Sequence, residues 1–223
     1  MKRLLAVHLR LVDVVLRLVR LNLLWWGWTL RGVVVAGAFP ATAALAAVAR
    51  RDAIDGVDDD RAGWRALRRE FAAARHAEAR QANALGWMLA GAVALLVVEE
   101  RLVRALGGDA FSTFVGGMLW MLVVLVLAIG VTAWPLGAHF DERPLAIVRR
   151  SALLLAGRPV AALVHLAVFA GVLCAYYLAP GLIPVFGLAA PMWLATGALW
   201  GTGVLPRRVE AVVARADTEV VKA

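Results

Sequence analysis

An apolar stretch near the N-terminus, residues 21–45, constrains this chain more than any other feature. Over 25 residues it carries one charge, Arg31, and one helix-breaking pair, Phe39-Pro40. A helix needs about 20 apolar residues to cross the ~30 Å hydrocarbon core of a bilayer. Length and apolar character together predict that this part of the chain lies in lipid.

Three further runs without charged residues extend this prediction to the rest of the chain. Residues 81–98, 110–140 and 159–206 are uncharged over 18, 31 and 48 positions. The first two runs hold one span each, and the third holds two because the turn-rich residues 179–184 divide it. The predicted fold class is therefore all-α: a polytopic membrane helix bundle of about five transmembrane helices with amphipathic cytoplasmic helices.

The 223 residues suffice for this bundle and little more, so we expect a single membrane domain, 1–223. Basic residues scattered through the first 20 positions do not fit a cleavable signal peptide, which keeps charge out of its apolar region. The predicted segments, in order, are an amphipathic N-terminal helix at 1–20, span 1 at 21–38, a short helix at 41–49, a cytoplasmic amphipathic helix at 61–80, span 2 at 82–98, span 3 at 112–134, span 4 at 160–178, span 5 at 183–205 and a cytoplasmic tail at 207–223.

The net charge of +8 predicts orientation and does not indicate nucleic-acid binding. Lys and Arg collect in the cytoplasmic connections of membrane proteins. The basic connections at 50–80 and 139–158 and the tail are therefore predicted to be cytoplasmic, and those at 99–109 and 179–184 external. The side of the N-terminus stays open. A single crossing by 21–38 places it outside, whereas a re-entrant 41–49 keeps it inside; the few apolar residues favour the single crossing.

Three motifs in and after the first apolar stretch are typical of a known family. They are Leu21-Asn22-Leu23-Leu24-Trp25, the segment 32–37 with Gly at both ends, and Phe39-Pro40-Ala41-Thr42-Ala43-Ala44. The chain resembles the YesL-like family of bacterial integral membrane proteins, named for a domain of unknown function. The resemblance implies a small multi-pass protein of the bacterial cytoplasmic (inner) membrane, often encoded near carbohydrate-uptake genes, with no established activity.

Polar residues and close-packing glycines inside the predicted spans are the candidate intramembrane residues. Ionisable groups in lipid are costly and often functional. Arg31 either reaches the interface or faces a polar cavity, and His165 is either interfacial or functional. Helix-to-helix hydrogen bonding accounts for Asn22 and Thr42, and close helix packing accounts for Gly197 and Gly201. The candidates are Asn22, Arg31, Thr42, His165, Gly197 and Gly201.

The amphipathic helix 61–80 is the predicted contact surface for lipid or a partner. Its candidate residues are Trp64, Leu67, Arg68 and Phe71. The first, second and fourth recur at helical spacing and form an apolar, largely aromatic face, and Arg68 adds a cationic group beside it. Anionic lipid suits such a helix, and so does a cytoplasmic ATPase that grips it.

No enzyme, metal or phosphate-binding signature occurs in the sequence, so we expect a protein that is not an enzyme and needs no cofactor. The leading hypothesis is an accessory or regulatory subunit of a carbohydrate ABC-type importer. Its expected partners are the bilayer, the importer's permease and ATPase subunits, and a second copy of this chain, but no nucleic acid. The alternative is a small stand-alone or oligomeric transporter or channel, suggested by Arg31, His165 and a faint repeat at 61–134 and 143–205.

Overall fold

A computed structural model describes residues 2–57, 63–107 and 109–203. In these ranges the chain forms eight helices and no strand, which confirms the predicted all-α class. The helices are α1 (Lys2–Arg31), α2 (Ala38–Asp55), α3 (Trp64–Leu106), α4 (Ala110–Gly137), α5 (Pro144–Gly157), α6 (Pro159–Leu178), α7 (Leu182–Phe186) and α8 (Ala189–Gly201). The predicted tail at 207–223 lies outside the described residues.

Helices α1 and α2 form an antiparallel hairpin. Side chains pair across it from the open end, where Arg17 meets Asp52, to the middle, where Trp25 meets Thr42. The predicted span 21–38 is therefore not one helix, since α1 ends at Arg31 and the chain reverses over 32–37. Positions 17 and 52 therefore lie at the same end of the hairpin.

Close backbone contact explains why glycines flank this reversal. A Cβ atom on Gly32 would lie 2.3 Å from the Gly37 Cα, and one on Gly37 would lie 2.5 Å from the Thr29 carbonyl oxygen. Between them Val33 and Val34 have φ of 55° and 60°. Left-handed backbone is unfavourable for β-branched residues, so the tight reversal depends on the surrounding contacts.

Helix α2 is the centre of the bundle. Every residue from Pro40 to Ala49 is buried, and most are alanine, which lets α1, α3, α4 and α8 approach its backbone closely. The predicted short helix at 41–49 is thus the middle of an 18-residue helix. Its position in the core, rather than its length, explains how so short an apolar segment is stabilised.

Helix α3 joins two predicted elements, the amphipathic helix 61–80 and span 2. Its 43 residues extend over about 64 Å at 1.5 Å per residue, roughly twice the bilayer core. Helix α4 returns antiparallel to it after a short connection, and the Asp109 carboxylate caps α4 by accepting the Ser112 N–H at 2.9 Å.

The predicted span 5, 183–205, is broken in the structure. Helix α7 ends at Phe186 and α8 begins at Ala189, with Gly187 between them at φ 42°. A left-handed residue ends an α-helix, and glycine adopts that conformation readily. Within the described residues three helices, α3, α4 and α6, are long and apolar enough to cross a membrane, compared with the five spans predicted.

Candidate functional site at the open end of the hairpin

A buried ion pair closes the open end of the α1–α2 hairpin. Arg17 donates from Nε and Nη2 to the two carboxylate oxygens of Asp52, each at 2.6 Å. The Arg17 side chain is 5% exposed and that of Asp52 is 0% exposed. Two parallel charge-assisted hydrogen bonds hold the planar guanidinium in one orientation. The pair therefore fixes the register of α1 on α2.

Helix α8 is joined to the same carboxylate. The Trp193 indole Nε1 donates to Asp52 Oδ2 at 2.8 Å. One acidic side chain thus receives donors from two other helices. A buried charge is costly unless it is paired and hydrogen-bonded, and here both conditions are met.

A second layer of polar contacts surrounds the end of α2. The Arg50 Nη1 lies 3.3 Å from the His139 Nδ1, and the Arg51 Nη1 donates to Glu70 at 3.3 Å. The Gln81 amide, on α3, donates to the carbonyl oxygen of Glu142 at 2.8 Å. These contacts link α2 and α3 to each other and to the segment that follows α4.

Glu78, on α3 beside this layer, has a pKa that is raised into the neutral range. Burial raises its pKa to about 7, although Arg50 and Arg51 oppose the shift, and Asp141 adds to it. Glu78 lies outside the uncharged run 81–98, among the charged residues of α3. The raised pKa means that the folded protein binds this proton more tightly than the unfolded chain does.

Asn22 fixes the break between α7 and α8. Its side chain is fully buried, and Nδ2 donates to the carbonyl oxygens of Pro184 at 2.9 Å and Val185 at 3.1 Å. A Cβ atom on Gly187 would lie 2.1 Å from the Asn22 Oδ1. The Tyr176 hydroxyl donates to the Gly187 carbonyl oxygen at 2.8 Å. Asn22 therefore joins α1 to the break between α7 and α8.

Thr42 connects the two arms of the first hairpin. Its hydroxyl donates to the Ala38 carbonyl oxygen at 2.8 Å and accepts from the Trp25 indole at 3.1 Å. Both hydrogen bonds stay within α1 and α2. The contact is of the helix-to-helix kind that membrane proteins use between packed segments.

The two ionisable candidates do not share a cavity. Arg31 is exposed at the end of α1, with its guanidinium carbon 5.5 Å from the centroid of the Trp28 ring. His165 is fully buried between α6 and α8, and its Nδ1 lies 2.8 Å from the Ala195 carbonyl oxygen. The two side chains thus occupy separate environments.

The predicted contact face on α3 is divided between the core and the surface. Leu67 and Phe71 are fully buried in the bundle's own core, whereas Trp64 is 42% exposed and Arg68 is exposed. The apolar half of this face therefore packs against the protein itself. The exposed part of the predicted face is therefore Trp64 together with Arg68.

The glycine pair in the last helix makes no close packing contact in the described part of the chain. A Cβ atom on Gly197 or on Gly201 would have no atom within 4 Å, apart from the backbone of its own helix and its chain neighbours. Among the residues that the structure describes, no group of three His, Cys, Asp or Glu side chains is placed to hold a metal ion.

Sequence reasoning missed the central ion pair, because the signal for it depends on where the chain reverses. Arg17 falls in the predicted amphipathic helix 1–20, and Asp52 falls in the predicted cytoplasmic connection 50–80. Arg17 precedes Gly32 by 15 residues and Asp52 follows Gly37 by 15. Once the reversal is placed at 32–37, opposite charges at equal distances along antiparallel helices predict a pair.

Comparison with known proteins agrees with the family resemblance and adds no activity. A family described as "Protein of unknown function, DUF624" matches residues 18–99, which contain the C-terminal half of α1, all of α2 and most of α3. The uncharacterized protein YesL of Bacillus subtilis (strain 168) is 29% identical over 164 residues, covering 72% of each chain. The uncharacterized protein YteU of the same organism is 28% identical over 187 residues, covering 81% of this chain and 78% of YteU. No solved structure matches the chain.

Proposed function

The chain belongs to the YesL-like family of membrane proteins, and from this premise we propose that it is a non-enzymatic accessory or regulatory subunit of a carbohydrate ABC-type importer. The resemblance implies genomic proximity to carbohydrate-uptake genes. The observation that carries the proposal is the exposed cationic surface on the N-terminal part of α3. We call this surface the basic face and define it as Arg65, Arg68 and Arg69.

The basic face lies on a rigid support. On the opposite side of the same turns Leu67 and Phe71 are fully buried, so this part of α3 is packed into the bundle core. Three exposed guanidinium groups held on an anchored helix match an acidic protein surface by charge complementarity. They also suit anionic head groups beside the uncharged run of α3.

The proposed location is the bacterial cytoplasmic membrane, with several passes. The positive-inside rule favours a cytoplasmic basic face, where an ATPase subunit would be accessible, and a cytoplasmic C-terminus. The Arg17–Asp52 pair supports a cytoplasmic N-terminus as well, because residues 17 and 52 lie at one end of the hairpin.

The alternative of a stand-alone transporter or channel has less support. It rests on Arg31, His165 and the faint repeat at 61–134 and 143–205, and a shared polar pathway needs both side chains in one cavity. Arg31 is exposed beside Trp28 and His165 is buried between α6 and α8, so the geometry does not supply that pathway.

Co-purification tests the importer proposal. A tagged protein, gently solubilised from its native membranes, should retain permease or ATPase subunits identified by mass spectrometry. Arg68→Glu should reduce the retained amount at least five-fold. The matched control is Arg149→Glu, an equal charge reversal at an exposed residue of α5. If the unmodified protein never retains importer subunits, the proposal is wrong.

A further inference from the structure

A narrow apolar crevice of about 530 Å³ lies between the α3–α4 pair and the α6–α8 pair, with α2 as its floor. It is separate from the polar contacts at the end of the hairpin. Among the side chains that line it are Phe39, Leu89, Val93, Leu127, Phe169 and Met192.

The crevice offers no hydrogen bond to a polar ligand from its one lining hydroxyl. Thr42 contributes to the wall, but its oxygen already donates to Ala38 and accepts from Trp25. The other lining side chains are aliphatic, aromatic or glycine, apart from the indole of Trp134 and the thioether of Met192. Nearly all of the lining is therefore apolar, which suits an apolar occupant.

The position of the crevice identifies the medium outside it. On α3 its wall runs from Gly86 to Val97, which lies inside the uncharged run 81–98. Ala94 and Leu127 are both wall residues and exposed, so the crevice is open to the surroundings. A run of this composition lies in the hydrocarbon core, where acyl chains are the surrounding molecules.

The dimensions of the crevice match one acyl chain. The wall on α3 extends about 16 Å, since it covers 11 residue steps of 1.5 Å. One leaflet contributes half of the ~30 Å core, or about 15 Å. An α-helix is about 10–12 Å wide, so a segment of this length needs well over ~1,000 Å³. A whole partner helix therefore does not sink into the crevice and can only lie across its open side.

We propose that this crevice holds one acyl chain of a membrane glycerophospholipid. Arg101 follows Val97 by four residues on α3 and so lies on the same helix face, one turn beyond the end of the crevice. It is exposed, and it is placed to bind the phosphate of the lipid whose chain lies below. The head group is thus on the side of the α3–α4 connection.

Packing, rather than hydrophobic transfer, drives this binding. The chain leaves hydrocarbon to enter an apolar crevice, so no apolar surface is removed from water. An empty crevice would instead forfeit the dispersion contacts of its walls. Binding should therefore appear as prolonged residence and preferential contact with particular residues, and not as very tight affinity.

Photolabelling with a phospholipid that carries a diazirine in the middle of one chain tests the proposal. The purified full-length protein is placed in vesicles of phosphatidylglycerol and phosphatidylcholine, irradiated, and mapped by mass spectrometry. We expect labelling of Val93 and Leu127 at least five-fold above that of Leu95, which is 59% exposed and lies outside the crevice. Equal labelling of the three residues would overturn the proposal.

Two substitutions sharpen the result. Ala94→Trp should fill the crevice and reduce labelling of Val93 and Leu127 at least five-fold, whereas Leu95→Trp, at a neighbouring exposed position, should leave it unchanged. Unchanged labelling in Ala94→Trp would contradict the proposal. Protection of Val93 and Leu127 in native membranes, but not in vesicles, would also overturn it, because a protein segment would then cover the crevice.

The head-group assignment has its own test. Arg101→Gln should lower labelling of Val93 at least two-fold, whether the diazirine is carried by phosphatidylglycerol or by phosphatidylcholine, because both lipids contain the phosphate. Unchanged labelling would overturn the assignment of the phosphate to Arg101.

Discussion

Removing the charge of Asp52 tests the role of the buried ion pair. Asp52→Asn keeps the size and shape of the side chain but deletes the negative charge. Arg17, whose side chain is 5% exposed, would then lose the carboxylate charge that accepts its two hydrogen bonds. The Trp193 indole would keep a neutral oxygen acceptor at best. The substitution therefore isolates the charge from the packing.

The expected cost follows from burial. Removing one partner of a buried ion pair destabilises proteins by about 3–5 kcal/mol, because the remaining charge is desolvated and uncompensated. The exposed pair between Glu142 and Arg150 is the matched control, since it is also bidentate, with the Arg150 Nε 2.7 Å from Glu142 Oε2. Its side chains are 30% and 47% exposed, so Glu142→Gln should cost at most about 1 kcal/mol.

Thermal unfolding in one detergent, followed by intrinsic fluorescence, measures both variants. Asp52→Asn should lower the midpoint by many degrees, and Glu142→Gln by little. The double variant Arg17→Met with Asp52→Leu should recover most of the loss, because an apolar pair leaves no buried charge. Equal small losses in Asp52→Asn and Glu142→Gln would refute the reasoning that burial makes the Arg17–Asp52 pair essential.

Three further predictions concern the packing and titration of the bundle. In Gly86→Ala the new Cβ would lie 2.2 Å from the Phe39 ring, so we expect a loss of about 1–3 kcal/mol, while Gly91→Ala, where a Cβ meets nothing within 4 Å, should be neutral or stabilising in thermal unfolding. Burial raises the pKa of Glu78 to about 7. The protonated Glu78 therefore contributes to the free energy of unfolding in full below pH 4.5, the pKa of the unfolded chain, and this contribution is lost as the pH rises through 7. The thermal unfolding temperature should accordingly decrease when the pH is raised from 5 to 8, and Glu78→Gln should reduce that decrease. An identical pH dependence in the variant would contradict the assignment of the decrease to Glu78. Asn22→Leu should cost about 1–3 kcal/mol, because two carbonyl oxygens at the end of α7 lose their donor, and should increase hydrogen exchange there; unchanged exchange would show that Asn22 does not hold the break.

Composition predicted the helices that are long and apolar. The uncharged runs at 81–98 and 110–140 correspond to α3 and α4, and the first part of 159–206 corresponds to α6. The length of each apolar run, compared with the thickness of a bilayer, is enough to predict such a helix, because each run is long enough by itself to cross. The all-α class and the membrane-compatible helices were therefore accessible from the sequence.

Tertiary contacts decided the features that composition missed. The last predicted span is broken because Asn22, more than 160 residues away in sequence, packs against Gly187. Leu67 and Phe71 have the spacing of a surface-binding face, but the core formed with α2 buries them. A periodic pattern shows that a helix has an apolar side; it does not identify what that side contacts.

The reversal at 32–37 illustrates the same limit at closer range. Gly32 and Gly37 are visible in the sequence, but their close approach depends on the left-handed backbone of Val33 and Val34. Two consecutive β-branched residues in that conformation contradict local propensity. Only the packing of α1 on α2 makes the reversal favourable, so the hairpin and its Arg17–Asp52 pair could not be read from local signals.

Photocrosslinking from the basic face in living cells tests the proposed function most directly. A benzophenone amino acid replaces Arg68 on α3 or, as the control, Arg149 on α5, and irradiated adducts are identified by mass spectrometry. The proposal predicts adducts with importer permease or ATPase subunits from position 68 and few from position 149. Adducts at position 68 with lipid alone, or with a second copy of this chain alone, would contradict it.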